Sequence, residues 1–214
     1  MSPPHSPGMT MAGAGMLWFG WFGFNGGSAL AADASAASAI LATHLAASAA
    51  GLAWIVIERL RFGKPTSVGI VTGCVAGLAT ITPASGYVGP VGAALMGAAG
   101  GALCFFATGF IKQIDDSLDV FAVHGVGGIL GSLAVAMFAL PAFGGSGFGH
   151  ELSAAAQFRA QLLGVVAAAV WSAAGTVVIV KLLAATVGLK VSAEQQHEGL
   201  DLAIHGERAY DLAE

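Results

Sequence analysis

The chain has 214 residues, 56% of them hydrophobic and only 9% charged, with a formal net charge of -4. Soluble domains carry about 25% charged residues, so a water-soluble core is excluded and an all-α, polytopic membrane helix bundle is the expected class. The eight basic residues form no patch suited to nucleic acid, and Cys74 and Cys104 fall inside apolar stretches as small core residues, not as a disulfide or metal framework.

Met1 to Gly8 reads as a loop or tail. It has no basic n-region, and its prolines precede the apolar run, so no cleavable signal peptide is expected. Six apolar spans follow, each near the roughly 20 residues that cross a bilayer. They are placed at Met9–Leu30, Ala36–Ile57, Ser67–Ile81, Val91–Ile111, Val120–Leu140 and Arg159–Val187. The third is short and the sixth is long enough to tilt.

Basic residues set the expected orientation. Arg59, Arg61, Lys64, Lys112, Lys181, Lys190 and Arg208 fall on one side of this arrangement and Arg159 alone on the other. Both ends of the chain are therefore expected in the cytoplasm. Glycines four apart (Gly23/Gly27, Gly69/Gly73/Gly77, Gly97/Gly101, Gly127/Gly131) predict flat helix faces where backbones touch. Lys190 to Glu214 differs in kind. It holds six of the twelve acidic residues, with an N-cap pattern at Val191-Ser192-Ala193-Glu194, and reads as a soluble tail of short ordered pieces. The expected division is residues 1–189 as the bundle and 190–214 as the tail.

Two histidines lie within spans. His124 follows the acidic run Asp115-Asp116-Ser117-Leu118-Asp119 and sits four residues inside a charge-free segment that begins at Val120. Ionisable groups at membrane depth are expensive and mark conduits or relays, and Gly125, Gly127, Gly128 and Gly131, a glycine collar, are expected to clear side chains from around the ring and let another backbone come close. His44, in Ala42-Thr43-His44-Leu45, has no comparable setting. No HxxxH or HExxH pair occurs, so a metalloprotease is unsupported and no metal or cofactor is expected.

The second informative run holds five aromatics in seven residues, Trp18 to Phe24, followed by Asn25 and Ser28. An interfacial aromatic belt is one reading. The other is a site for a small cation, in which aromatic faces beside a hydroxyl contribute about 0.5–2 kcal/mol per contact, or a set of rings closing a narrow pore.

Several motifs then occur in a fixed order. They are Trp18-Phe19-Gly20-Trp21-Phe22-Gly23-Phe24-Asn25-Gly26-Gly27-Ser28, Gly63-Lys64-Pro65-Thr66, Ala76 to Val88 with Thr82-Pro83-Ala84-Ser85-Gly86-Tyr87, Asp119-Val120-Phe121-Ala122-Val123-His124-Gly125-Val126-Gly127-Gly128, Glu198-Gly199-Leu200-Asp201, and His205-Gly206-Glu207-Arg208-Ala209-Tyr210. Together they resemble the Amt/Rh ammonium transporter family over essentially the whole chain. The resemblance implies an eleven-span fold of two inverted five-span repeats and a long last helix, assembled as a homotrimer in the cell membrane with one pore per subunit. This chain is similar to the last six spans and the cytoplasmic tail.

By that resemblance, Phe24 corresponds to a gate phenylalanine, and Ser28 with Trp21 to the ammonium recruitment site and the pore-side tryptophan beside it. His124 corresponds to the second of two pore histidines, and Asp119 and Val120 to the inner approach to the pore. The tail is similar to a segment that responds to PII-family signal proteins. Gly26 departs from the alanine common in the family. Pro3-Pro4-His5-Ser6-Pro7 resembles a mid-chain loop. The first pore histidine, a first gate phenylalanine and a recruitment tryptophan would belong to five earlier spans, so a complementary half is expected for conduction of ammonium or ammonia. A non-conducting membrane partner or sensor acting through the tail is the alternative. A membrane enzyme built on His124 and the acidic run is disfavoured, because those carboxylates lie at the cytoplasmic edge.

Overall fold

The computed structural model describes residues 4–111, 116–149 and 152–208. The readings placed on Lys112, Asp115, His150 and Ala209-Tyr210 lie outside those residues. Every predicted span is a helix: α1 (Pro7–Gly27), α2 (Ala34–Phe62), α3 (Ser67–Ile81), α4 (Pro90–Phe110), α5 (Val126–Phe138) entered through a π-helical turn at Phe121–Gly125, and α6 (Ala154–Thr186). No strand occurs among the described residues. Four helical segments are long and apolar enough to cross a bilayer: Ala34–Phe62, Pro90–Phe110, Phe121–Phe138 and Ala154–Thr186. The 15 residues of α3 fall short of that length. In α1 the glycines, tryptophans and Asn25 lower the apolarity instead.

Local chemistry sets the ends. Ser6 accepts from the Met9 amide with Pro7 in the first turn, and Asp33 accepts from Ser35 and Ala36. The helix α2 runs five residues past the expected Ile57. Arg59 and Arg61 favour its C-terminal carbonyls, and Gly63 closes it in the left-handed region at φ 77°. The Ser153 hydroxyl accepts from Ala156, which starts α6 earlier than the expected Arg159.

The chain forms two compact units, Met1–Val165 and Val166–Glu214. In the first, α2 is the central post, packed most extensively on α3 and α4. Glycine spacing explains why. A methyl on Gly73 would run into Trp54, one on Gly77 or Gly97 into the Ala46 backbone, and one on Gly101 into the Ala50 backbone. Gly127 and Gly131 seat α5 against Thr80 of α3 in the same way. Gly23 and Gly27 meet nothing within 4 Å, so that fourth stripe makes no contact among the described residues. Two apolar clusters fill the remaining space, one around Ile81, Val88 and Met96, the other around Trp54, Cys104 and Phe105.

Glu58 is buried, with 7% of its surface exposed, and it accepts from both the amide (2.7 Å) and hydroxyl (3.0 Å) of Thr66, which in turn caps α3 at Gly69. A buried carboxylate is tolerated when its oxygens are hydrogen-bonded in this way. In the second unit, Ser192 and Gln195 form a capping box at the start of a short helix, α7 (Ala193–Glu198), and a π-helical turn covers Asp201–His205. The N-cap expected at Ser192 is therefore present. The Glu194 carboxylate lies below its ordinary pKa, because its own backbone N–H and then the Ser192 hydroxyl donate to it.

Candidate functional site

Helix α1 places Trp21 beside the N-terminal end of the α5 segment. The Trp21 ring lies 6.4 Å from the His124 ring, nearly parallel at 11°, and 6.0 Å from the Phe24 ring at 56°. Three expected site residues, Phe24, Trp21 and His124, thus form one continuous row. The Trp21 indole N–H donates to the Thr82 hydroxyl at 2.7 Å, and Thr82 donates onward to the Leu78 carbonyl at 2.7 Å.

Ser28 sits one turn beyond Phe24 and donates to its carbonyl at 2.9 Å. Both line a cavity of about 290 Å³ together with Asn25, Thr82, Ser85 and Tyr87. Asn25 is a buried member of this lining. It is 3% exposed, and its amide donates to Thr43 at 2.9 Å, while Thr43 donates to the Ala39 carbonyl at 2.6 Å. The hydroxyls and the Phe24 ring give this cavity the acceptors and aromatic face that a small cation requires.

His124 is carried on the π-helical turn, a feature frequent at functional sites because the extra residue re-aims side chains. The turn is set by Asp116. Its carboxylate accepts from the amides of Val120 (2.8 Å), Phe121 (2.9 Å) and Ala122 (3.2 Å). Asp119 takes a positive φ of 56°, a conformation aspartate adopts more readily than most non-glycine residues. Asp119 and Val120 therefore lie at the entrance to the turn, one turn before His124, with Val120 half exposed at 54%.

The backbone approach expected of the glycine collar occurs on the α3 side, where Gly131 meets the Thr80 carbonyl, and not around the ring itself. Gly127 and Gly131 face Thr80, Gly125 faces the Phe121 ring, and Gly128 meets nothing within 4 Å. These glycines pack α5 onto α3 or stay open. The imidazole itself is exposed, as are Phe24 (65%) and Phe121 (56%). The row lines an open face.

Sequence reasoning passed over several neighbours. Thr82 and Asp116 appeared only inside longer motifs. The useful signals were a hydroxyl residue at a helix end and an acid four residues ahead of an apolar helix. His44 also has an aromatic setting, with Trp18 at 5.4 Å and Phe22 at 6.0 Å. That pairing joins residues 22 and 26 positions apart and has no local sequence signal. No cluster of three or more metal-binding side chains occurs among the described residues.

The sequence pattern of the Ammonium Transporter Family matches residues 1–210. The chain belongs to this family. The ammonium transporter Amt1 of Archaeoglobus fulgidus is 45% identical over 210 residues, covering 97% of this chain and 53% of that protein. Among solved structures, Saccharomyces cerevisiae Mep2 is 38% identical with a TM-score of 0.81, covering 90% of this chain and 45% of Mep2. A structure described as a sensor Amt protein is 35% identical with a TM-score of 0.86, covering 94% of this chain and 49% of that one. The ammonium transporter fold is thus shared across nearly all of this chain, which spans about half the length of the relatives it matches. It is a multi-pass membrane protein of that family.

Proposed function

We propose that this chain supplies one wall of an ammonium-conducting pore, with the row Phe24–Trp21–His124 as its lining. The carrying observation is the near-parallel stack of Trp21 on His124, continuous with the ring of Phe24 and the hydroxyl-lined cavity. Ammonium is recruited where Ser28 accepts one of its N–H bonds and the Phe24 face attracts its charge, a contact worth about 0.5–2 kcal/mol. Trp21, the other residue assigned to recruitment, comes next along the row on the His124 side. Phe24 acts as the gate. Beyond it the wall is aromatic and apolar, which favours passage as neutral ammonia, the ammonium proton being given up to solvent water in the outer cavity before the molecule enters. His124 offers ring nitrogens for hydrogen bonds along the path, and Asp119 and Val120 border the inner end. A narrow, dry wall disfavours hydrated potassium and sodium.

The open face explains the need for a second half. Exposed imidazole and aromatic groups line a conduit only when another wall faces them, and polar groups left facing lipid are expensive. In this reading residues 1–189 form the bundle and 190–214 the cytoplasmic tail, the subunits assemble as homotrimers in the cell membrane, and the tail engages a PII-family signal protein. Both ends of the chain lie in the cytoplasm, following the basic residues.

Uptake of ammonium or methylammonium in cells lacking their own transporters tests the reading. The chain alone should show background uptake, and the chain co-expressed with the amino-terminal half of a family member should restore it. His124→Ala in the paired halves should lower uptake about ten-fold or more, a barrier change of roughly 1.4 kcal/mol. Equal uptake by the paired halves with and without His124→Ala would defeat the assigned role.

A second reading, a membrane sensor signalling through the tail, draws on the likeness to the sensor Amt protein. Capture of a PII-type protein by the whole chain, with no flux through the paired halves, would favour it.

A further inference from the structure

We propose that Thr82 is a positioning residue for the pore wall: its hydroxyl locks the Trp21 indole so that the ring shows its π face to His124 and its N–H is turned away from the conduit. The proposal rests on reading Trp21 and His124 as lining.

The geometry is specific. A threonine hydroxyl has one proton and two lone pairs. Thr82 spends its proton on the Leu78 carbonyl of its own helix at 2.7 Å, which orients a lone pair outward, and the Trp21 N–H donates there at 2.7 Å. The indole has no other polar atom, so this bond occupies its whole hydrogen-bonding capacity. Bonding is not a general property of tryptophans in this fold. Trp18 and Trp54 each bury an indole N–H without a hydrogen-bond partner among the described residues. The one tryptophan that stacks on His124 is tied down, and the residue that ties it also lines the outer cavity beside Phe24 and Ser28.

The chemical consequence concerns ammonia. Its lone pair accepts from any free N–H, so a loose indole beside His124 would hold the molecule where it must pass. With the N–H capped, Trp21 offers ammonia only an aromatic surface. The ring is also fixed within 11° of the imidazole plane, which limits how His124 can turn.

The whole chain in lipid nanodiscs, with ¹⁵N-labelled tryptophan, gives a direct test. The Trp21 indole N–H signal is assigned by its loss in Trp21→Phe. In the wild type it should appear at a hydrogen-bonded shift. Thr82→Val keeps the shape and removes the acceptor, and should move the signal toward the free-indole position and speed its hydrogen exchange about ten-fold. The His124 ring protons should shift in the same variant while backbone amides of α2 and α4 stay in place. Thr82→Ser should restore both signals. Unchanged Trp21 and His124 signals in Thr82→Val would overturn the proposal, as would Thr82→Ser behaving like Thr82→Val. A wild-type Trp21 signal at the free-indole position overturns it whether or not Thr82→Val folds. Uptake by the paired halves reports separately. No uptake beside a bonded, His124-coupled Trp21 would sink the transport reading and keep only the positioning of Trp21 against His124 by Thr82.

Discussion

Two regions of the bundle use glycine in opposite ways. Along the α2–α3–α4 seam, Gly73, Gly77, Gly97 and Gly101 bring backbones into contact, and Ala46, Ala47 and Ala50 are fully buried between them. Along α1, Gly23 and Gly27 touch nothing, and Phe19 and Phe24 are mostly exposed. The first region is complete within this chain. The second presents rings and an imidazole on an open face, the one proposed above as a pore wall. Small-residue spacing alone does not separate the two, because the same four-residue repeat occurs in both.

Breaking the seam should cost most. Gly97→Leu drives a side chain into the Ala46 backbone and should lower stability by about 3 kcal/mol or more, read as a large drop in the thermal midpoint in detergent. Gly23→Leu, placed on the open face, should stay within about 0.5 kcal/mol of wild type. Equal effects at the two sites would erase the contrast. Next in size, His124→Ala should leave that midpoint within a degree or two while uptake by the paired halves falls about ten-fold. A parallel loss of stability would make His124 a packing residue.

Asp116→Ala removes the acceptor for three amides at the entry to the π-helical turn and should cost about 1–2 kcal/mol. Amide exchange should rise at Val120, Phe121 and Ala122 but not along α2. The smallest effect belongs to the tail. Glu194 is held below its ordinary pKa by its own N–H and by Ser192, so its contribution to α7 is complete above the normal glutamate value. That contribution should be lost as the pH falls through the lowered value, seen as fading helical shifts at Ala193–Glu198. Glu194→Gln should remove this dependence, and its persistence would place the titrating group elsewhere.

Much of the fold was legible from hydropathy. The predicted span Ser67–Ile81 matches α3 residue for residue, and the other spans differ by a few residues where caps such as Asp33, Gly63 and Ser153 decide the end. The site was legible in its members and not in its geometry. The motif around Trp18 to Ser28 and the His124 run announced themselves, and Trp21, Phe24 and His124 do meet. The surroundings of His124 differ from the expected collar because a π-helical turn adds one residue, and each added residue rotates the downstream side chains by about 100°. Gly127 and Gly131 therefore face α3, while Gly125 meets the Phe121 ring and Gly128 stays open. Thr82 was invisible as a partner of Trp21 because 61 positions separate them.

The clasp between Glu58 and Thr66 has a kinetic consequence. It joins α2 to α3 across a connection of four residues, so closing it orders little chain. Contacts this local form early, and the α2–α3 hairpin is the natural first piece to assemble. The later arrivals, α4 and then the His124 segment, would dock onto a platform already zipped. Refolding followed by pulsed amide labelling should show protection in α2 and α3 before any appears around His124.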